Sequence, residues 1–313
     1  MPGGAPRWIV LGLALAVSPA GAAAQDAPPD DPTWLESARI PGVSLEELQG
    51  RANEAMGAGR ADEALRYFRA GVALDREWTQ GWFYVGSLSY AQGRHAAARE
   101  AFMQVVGAAP SLGPAWALLG FSEFQLGEYD RSFAALSRGL TLGFEGGEDI
   151  ESGVHHHLAL LRIRRGDFEG AVQHLLWLAR SQPPSPPLLE ASGLMILRRP
   201  ILPSEIPDDE KELVTTAGWA AYSTLADRYE EAQPLFEDLV RRFPEARGVH
   251  LAFGLFLAAR GSEEALAMVN REVELFPDNA RAQLEVAFQH LERGNAADAL
   301  PSARAAVRLA PVV

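Results

Sequence analysis

From Leu45 onward the apolar positions of the chain return at intervals of three and four, in short blocks that end in glycine or proline. Trp82, Val85, Gly86 and Ser89 share one helical face. Gly93 closes that block, where a residue without a Cβ suits a left-handed turn. Ala98, Phe102 and Val105 form the stripe of the next block, and Pro110 ends it because proline cannot continue a helix. The pattern predicts a helix, a tight turn and a second helix. Gly86 and Ala98 are small where the two axes must approach closely, and Phe102 fills the space left toward the next pair.

The pair repeats. Gly59, Gly93 and Gly127 are spaced by 34 residues, as are Trp82 and Trp116, and Gly86 and Gly120. Later, Pro244, Pro277 and Pro311 are spaced by 33 and 34, and Gly261 and Gly294 by 33. A repeat of this length predicts a stacked array in which each pair buries its apolar face on its neighbours. Seven units are placed at 45–78, 79–112, 113–145, 152–185, 213–246, 247–279 and 280–313. Two interruptions break the period. One is a short insertion from Gly143 to Ser152. The other runs from Ser181 to Leu213 and carries Pro183, Pro184, Pro186, Pro187, Pro200, Pro203 and Pro207. Within it, Leu188 to Leu197 is expected to be a helix packing on the fourth unit. Residues 200–212 are expected to form an ordered, proline-stiffened connector, either a plain loop or a hinge or lid.

Trp82-x2-Val85-Gly86, followed by Ala98-x3-Phe102 and Pro110, resembles the tetratricopeptide repeat. The resemblance extends, with weaker matches, over nearly all of residues 45–313. It implies an all-α, right-handed superhelical solenoid of stacked helix-turn-helix repeats. Four units (45–185) and three units (213–313) would belong to one solenoid, joined by the helix and connector at 186–212. It also implies a role in binding proteins or peptides rather than in catalysis.

The residues before Leu45 follow another pattern. Arg7 precedes an apolar run from Trp8 to Val17. Ser18 and Pro19 break the run, and Ala22, Ala23 and Ala24 supply the small residues a signal peptidase needs. Residues 1–24 therefore read as a signal peptide cleaved between Ala24 and Gln25, the alternative being an uncleaved anchor. The run is about half the length of a membrane-spanning helix, so no stable span is expected after cleavage. The protein is expected to be exported, either periplasmic or extracellular. Residues 25–44, rich in proline and aspartate, read as a disordered, extended spacer.

Composition narrows the partners. A net charge of −13 over 313 residues leaves no basic surface to displace counterions from a nucleic acid. The chain has no cysteine, which excludes disulfides, thiolate catalysis and cysteine-ligated zinc. His155, His156 and His157 are adjacent, and neighbours on a helix point about 100° apart, so the three cannot face one metal. No phosphate-binding loop, nucleophile elbow or dinucleotide fingerprint is present. No metal, cofactor or catalytic residue is expected.

In the family, the first helix of each unit lines the concave face through its second, fifth, ninth and twelfth positions. Carried over, this places Phe83, Ser87 and Tyr90 there in unit two, and Ala117, Phe121 and Phe124 in unit three. Unit four supplies His156, Leu160 and Ile163; later units supply Ala221, Thr224, Leu251, Leu255, Leu284 and Phe288. Phe83, Ser87, Tyr90, Phe121, Phe124, His156 and Leu160 are the candidate partner-binding residues. They make an apolar, aromatic groove for a protein or peptide segment, or else pack on neighbouring units. The alternative function is a carbohydrate-handling or enzyme-associated module whose aromatic stripe stacks on sugars. No polar capping helix follows Pro311. The sequence is then a fragment of a longer array, or its last face pairs in a homodimer, or the last helix is polar enough to stand alone.

Overall fold

The computed structural model describes residues 34–144 and 148–309. The expected signal peptide, with its cleavage site at Ala24–Gln25, lies outside the described residues, as does the first part of the expected spacer. The described chain is helical, with no strand among the described residues. A one-turn helix, α1 (Trp34–Ser37), comes first. Helix pairs follow: α2 (Leu45–Gly57) with α3 (Ala61–Leu74), α4 (Thr79–Ala91) with α5 (His95–Ala108), α6 (Gly113–Gln125) with α7 (Tyr129–Leu142), and α8 (Glu148–Arg164) with α9 (Phe168–Ser181). After α10 (Pro186–Ile196) come α11 (Lys211–Leu225) with α12 (Tyr229–Arg242), α13 (Val249–Ala259) with α14 (Ala265–Leu275), and α15 (Ala280–Glu292) with α16 (Ala296–Leu309). Helices α2 to α7, and again α9 to α16, each pack on the next in the chain, as a solenoid of helix-turn-helix pairs requires. The chain forms two compact units that divide within α8, after Leu158.

The turn between the partners of a pair has one signature. Gly59, Gly93, Gly127, Gly166, Gly261 and Gly294 all have φ between 70° and 76°. The fifth repeat places Asp227 there instead, at φ 60°, one of the few side chains that tolerate this region. Within a pair, a Cβ on Gly86 would lie 2.7 Å from the Phe102 ring, one on Gly120 2.6 Å from Leu136, and one on Gly254 2.5 Å from Val269. The small residue on the facing helix also carries a bond in the third pair, where Ser132 Oγ donates to the Gly120 carbonyl at 2.8 Å.

A second regularity lies at the fourth position of the repeat. Trp82 Nε1 donates to the Arg76 carbonyl at 2.9 Å, and Trp116 Nε1 to Pro110 at 2.9 Å. His250 Nε2 lies 2.8 Å from the Pro244 carbonyl, and Gln283 Nε2 donates to Pro277 at 3.2 Å. Tryptophan, histidine and glutamine exchange there because each offers an N–H to the carbonyl six residues upstream, at the close of the preceding repeat. Core packing alone does not account for that exchange.

Three segments depart from the sequence expectations. From Trp34 on, the segment expected to be extended holds α1, and Arg39 Nε donates to the Ala73 carbonyl at 3.2 Å, docking it on α3. Part of the short insertion, from Glu148, is the first turn of α8. Helix α10 makes its main packing on α11 and a smaller contact with α9 of the fourth pair. The reason is a backbone crossing: a Cβ on Gly193 would collide with the Val214 carbonyl, and one on Gly218 with the Leu189 carbonyl. The connector that follows forms two 3-10 turns, Pro203–Glu205 and Asp208–Glu210. Arg164 Nη1 donates to both Glu205 carboxylate oxygens, at 2.9 and 2.8 Å, and Glu205 also accepts the Leu202 N–H at 2.7 Å. That N–H and Arg164 together hold the Glu205 carboxyl below its usual range.

Candidate functional site: an apolar groove in the second unit

In the first unit, the groove positions expected from the sequence are mostly covered. Phe83 is buried edge-on to Phe102 of α5, with ring centroids 6.0 Å apart. Ser87 is buried and returns its hydroxyl to the Phe83 carbonyl at 2.9 Å. Tyr90 is half-buried, meets the His95 ring at 5.2 Å and bonds to the Gln125 side chain; burial raises its phenol. Phe121 and Phe124 are buried under α8. Gly153 leaves room for the Phe121 ring, and both phenylalanines close on His157, at 4.8 and 4.7 Å. The expected free aromatic stripe is therefore packing between successive helices in this unit. A sugar-stacking platform loses its rings there.

His156 and His157 belong to the same packing. Their rings meet edge to face at 5.7 Å, and His157 Nδ1 lies 2.8 Å from the Gly153 carbonyl. Burial drives His156 down to about 3, helped by the neighbouring His157 charge. Burial drives His157 down to about 4 against the opposing Gly153 bond. Both are neutral at pH 7. His155 takes the buried place that Trp82 and Trp116 hold in earlier repeats. Among the described residues no group of three or more histidines and carboxylates is placed to hold a metal ion. Leu160, which belongs to the second unit, is buried.

The second unit holds an open groove of about 740 Å³. Its floor includes Ala221 and Thr224 of α11, and Leu255 and Phe256 of α13; its wall includes Met195 and Ile196 of α10. Ala221, Thr224 and Leu255 stand at the positions expected to face inward. The wall was not anticipated, because α10 falls outside the repeat. Tyr229 and Arg260 sit at the rim. The Arg260 guanidinium lies 5.4 Å from the Tyr229 ring centre and 5.8 Å from that of Phe256, over two electron-rich faces. The Tyr229 hydroxyl donates to Asp227 at 3.0 Å, and Asp227 also pairs with Arg180 at 2.7 Å. These bonds hold the Asp227 carboxyl below its usual range. The groove exists because α11 carries Ala221 and Thr224 where α6 carries Phe121 and Phe124. That contrast of small against large at matched positions was the signal available in the sequence.

The tetratricopeptide repeat family model matches residues 50–112 and 226–265. No match was found among curated protein sequences. Among solved structures, the chain is similar to a tetratricopeptide repeat protein from Parabacteroides merdae, at 14% identity and a TM-score of 0.39, covering 85% of this chain and 93% of that one. It is similar to MamA at 12% identity and a TM-score of 0.38, covering 85% and 91%. It is also similar to the TPR2AB domain of yeast Sti1, at 14% identity and a TM-score of 0.36, covering 85% and 90%. Helix pairs recurring every 33 or 34 residues and a left-handed residue in each intervening turn agree with the two matched segments, so residues 50–112 and 226–265 are tetratricopeptide repeats.

Proposed function

We propose that this protein is a non-catalytic scaffold that acts outside the cytoplasm and holds a segment of a protein partner in the groove of its second unit. The open apolar groove between α10, α11 and α13 carries this reading. Grooves of this size, apolar with a few polar groups at the rim, suit side chains presented by an extended or helical segment. Action outside the cytoplasm rests on the leader pattern from Arg7 to Gln25. N-terminal sequencing of the exported protein is expected to read from Gln25; a mature chain that still begins at Met1 counts against cleavage.

The absence of cysteine makes the groove directly testable. A Leu255→Cys variant carrying a short photocrosslinker is expected to capture a discrete partner in the native envelope. Met103→Cys, exposed on α5 in the first unit, is expected not to. Equal capture from both positions, or none from Leu255, overturns the assignment of the groove.

A second copy of the chain is the proposed partner of a different surface, the face of α15 and α16. Leu284, Phe288 and Leu291 are 40%, 52% and 52% exposed there. Leu300 and Val307 are 47% and 72% exposed, whereas Leu65 and Val72, at the same positions of the first repeat, are 2% and 0% exposed beneath the following pair.

A further inference from the structure

The groove of the second unit is a vacated packing site, and its chemistry narrows what fills it. In the third repeat Phe121 and Phe124 reach across to α8 and consume the space between successive helices. In the fifth repeat the matched positions hold Ala221, which is buried, and Thr224, which is half-buried, and an open groove lies beside them. Val172 of α9, Ile196 of α10, and Leu225 and Leu255 on α11 and α13 surround it. Two missing rings leave room for one or two bulky apolar side chains supplied from outside.

The rim adds a charge. Asp227 is engaged by Arg180 and Tyr229, and Arg228 by Glu231 at 3.7 Å. Arg260 has no carboxylate partner among the described residues. Arg260 is exposed, and its guanidinium lies over the Tyr229 and Phe256 rings, which holds it beside the apolar floor. An arginine held on rings keeps its N–H edge available for a carboxylate. On a chain of net charge −13, an unpaired cation at the mouth of an apolar groove is a local reversal of sign.

We infer that the groove recognises a peptide segment that seats a bulky aliphatic or aromatic side chain against Thr224, Ile196 and Leu255 and sets an acidic side chain against Arg260. This rests on the scaffold reading above and adds the chemistry of the partner. The apolar contact supplies affinity, and the carboxylate fixes the direction in which the segment lies. A peptide that is apolar but basic is rejected, because it brings a like charge onto Arg260.

The test uses the full mature chain panned against a random peptide library, in parallel with Ala221→Phe and Arg260→Glu, and each variant's fold is checked by thermal melt. The expected result is enrichment of peptides with Leu, Ile, Phe or Trp near Asp or Glu. Their binding is expected to fall about tenfold or more in Arg260→Glu, which itself enriches basic peptides. Ala221→Phe, which restores the bulk found in the third repeat, is expected to abolish capture. Should Ala221→Phe fail to fold, the charge swap at the exposed Arg260 still decides the matter. Enriched peptides with no acidic preference, or binding indifferent to both variants, overturn this inference while leaving the scaffold reading standing. Failure to enrich any peptide, with dodecanoate bound in the groove instead, overturns both.

Discussion

Glu272 shows how much one residue can hold together. It is fully buried on α14, yet its carboxylate accepts the Gly248 N–H at 2.8 Å, the Leu251 N–H at 3.4 Å and the Asn279 amide at 2.9 Å. The first two are unpaired donors at the start of α13. Asn279 in turn caps α15 by accepting the Ala282 N–H at 3.2 Å. One acid therefore ties the starts of two successive first helices. Glu272→Ala is expected to cost about 3 kcal/mol, because it strands buried donors as well as removing bonds. Urea unfolding measures this, and a loss below about 1 kcal/mol would show the donors finding other partners. The role was not legible in the sequence, where Glu272 reads as one of many solvated helix acids. The turn glycines were legible because only a left-handed turn explains their spacing. Tryptophan at position four was legible as core, whereas its hydrogen bond emerged only from the match with His250 and Gln283.

At the scale of the helix, pairs that keep the period were read correctly as helices, and the one that breaks it touches the fourth unit as expected but packs mainly on α11. The sequence marked 188–197 as a helix, but its partner depended on two glycines spaced by no repeat. Gly193 and Gly218 allow the backbones of α10 and α11 to touch. Gly218→Ala is expected to destabilise the protein by about 1–3 kcal/mol, since the obstructing atom is backbone and cannot rotate away. An unchanged midpoint in urea would place α10 elsewhere. Groove residues were harder to read for a related reason. Helical periodicity states which face a residue occupies, not whether the next helix covers it. Phe121 and Phe124 occupy the inward face and are covered, as is Ala221, while Thr224 occupies it and stays partly open.

Helix α8 adds a dependence on pH. His156 and His157 have folded values of about 3 and 4, well below the 6.5 of the unfolded chain. As pH falls below about 6.5 the unfolded state takes up protons that the folded state refuses, so stability falls with pH. Each imidazole contributes a slope approaching about 1.4 kcal/mol per pH unit, until the folded values are reached. Carboxylates held low by arginine or backbone N–H, such as Glu205 and Asp167, lose their contribution only further into acid. Between pH 6 and 4.5 the histidine pair is expected to dominate. His157→Phe, which keeps a ring between Phe121 and Phe124, is expected to remove about half of the slope. A slope unchanged in that variant would assign the acid sensitivity to other groups.

At the scale of the whole molecule, the question is what a stacked array does with a face that its own repeats leave bare. Along α15 and α16, Leu284, Phe288, Leu291, Leu300 and Val307 leave an apolar strip exposed. The exposed residues of α2, in the first unit, are unlike it. Helix α2 exposes Glu46, Glu47, Arg51, Asn53 and Glu54, a polar set that gives an apolar strip nothing to pack on. Head-to-tail stacking of copies is thereby disfavoured, and the apolar strip meets its own kind best across a two-fold axis. A homodimer closed through Leu284, Phe288, Leu300 and Val307 is the expected state at micromolar concentration. Light scattering on the wild type is expected to give twice the chain mass of 33.9 kDa before any leader is removed. Phe288→Asp combined with Val307→Glu should return the monomer, with peptide capture by the groove between α10, α11 and α13 intact. The two surfaces share no residue, so a variant that dissociates the dimer and also loses the peptide would show that the groove needs the second copy. A wild type that stays monomeric to hundreds of micromolar would remove the second copy as the occupant of this face.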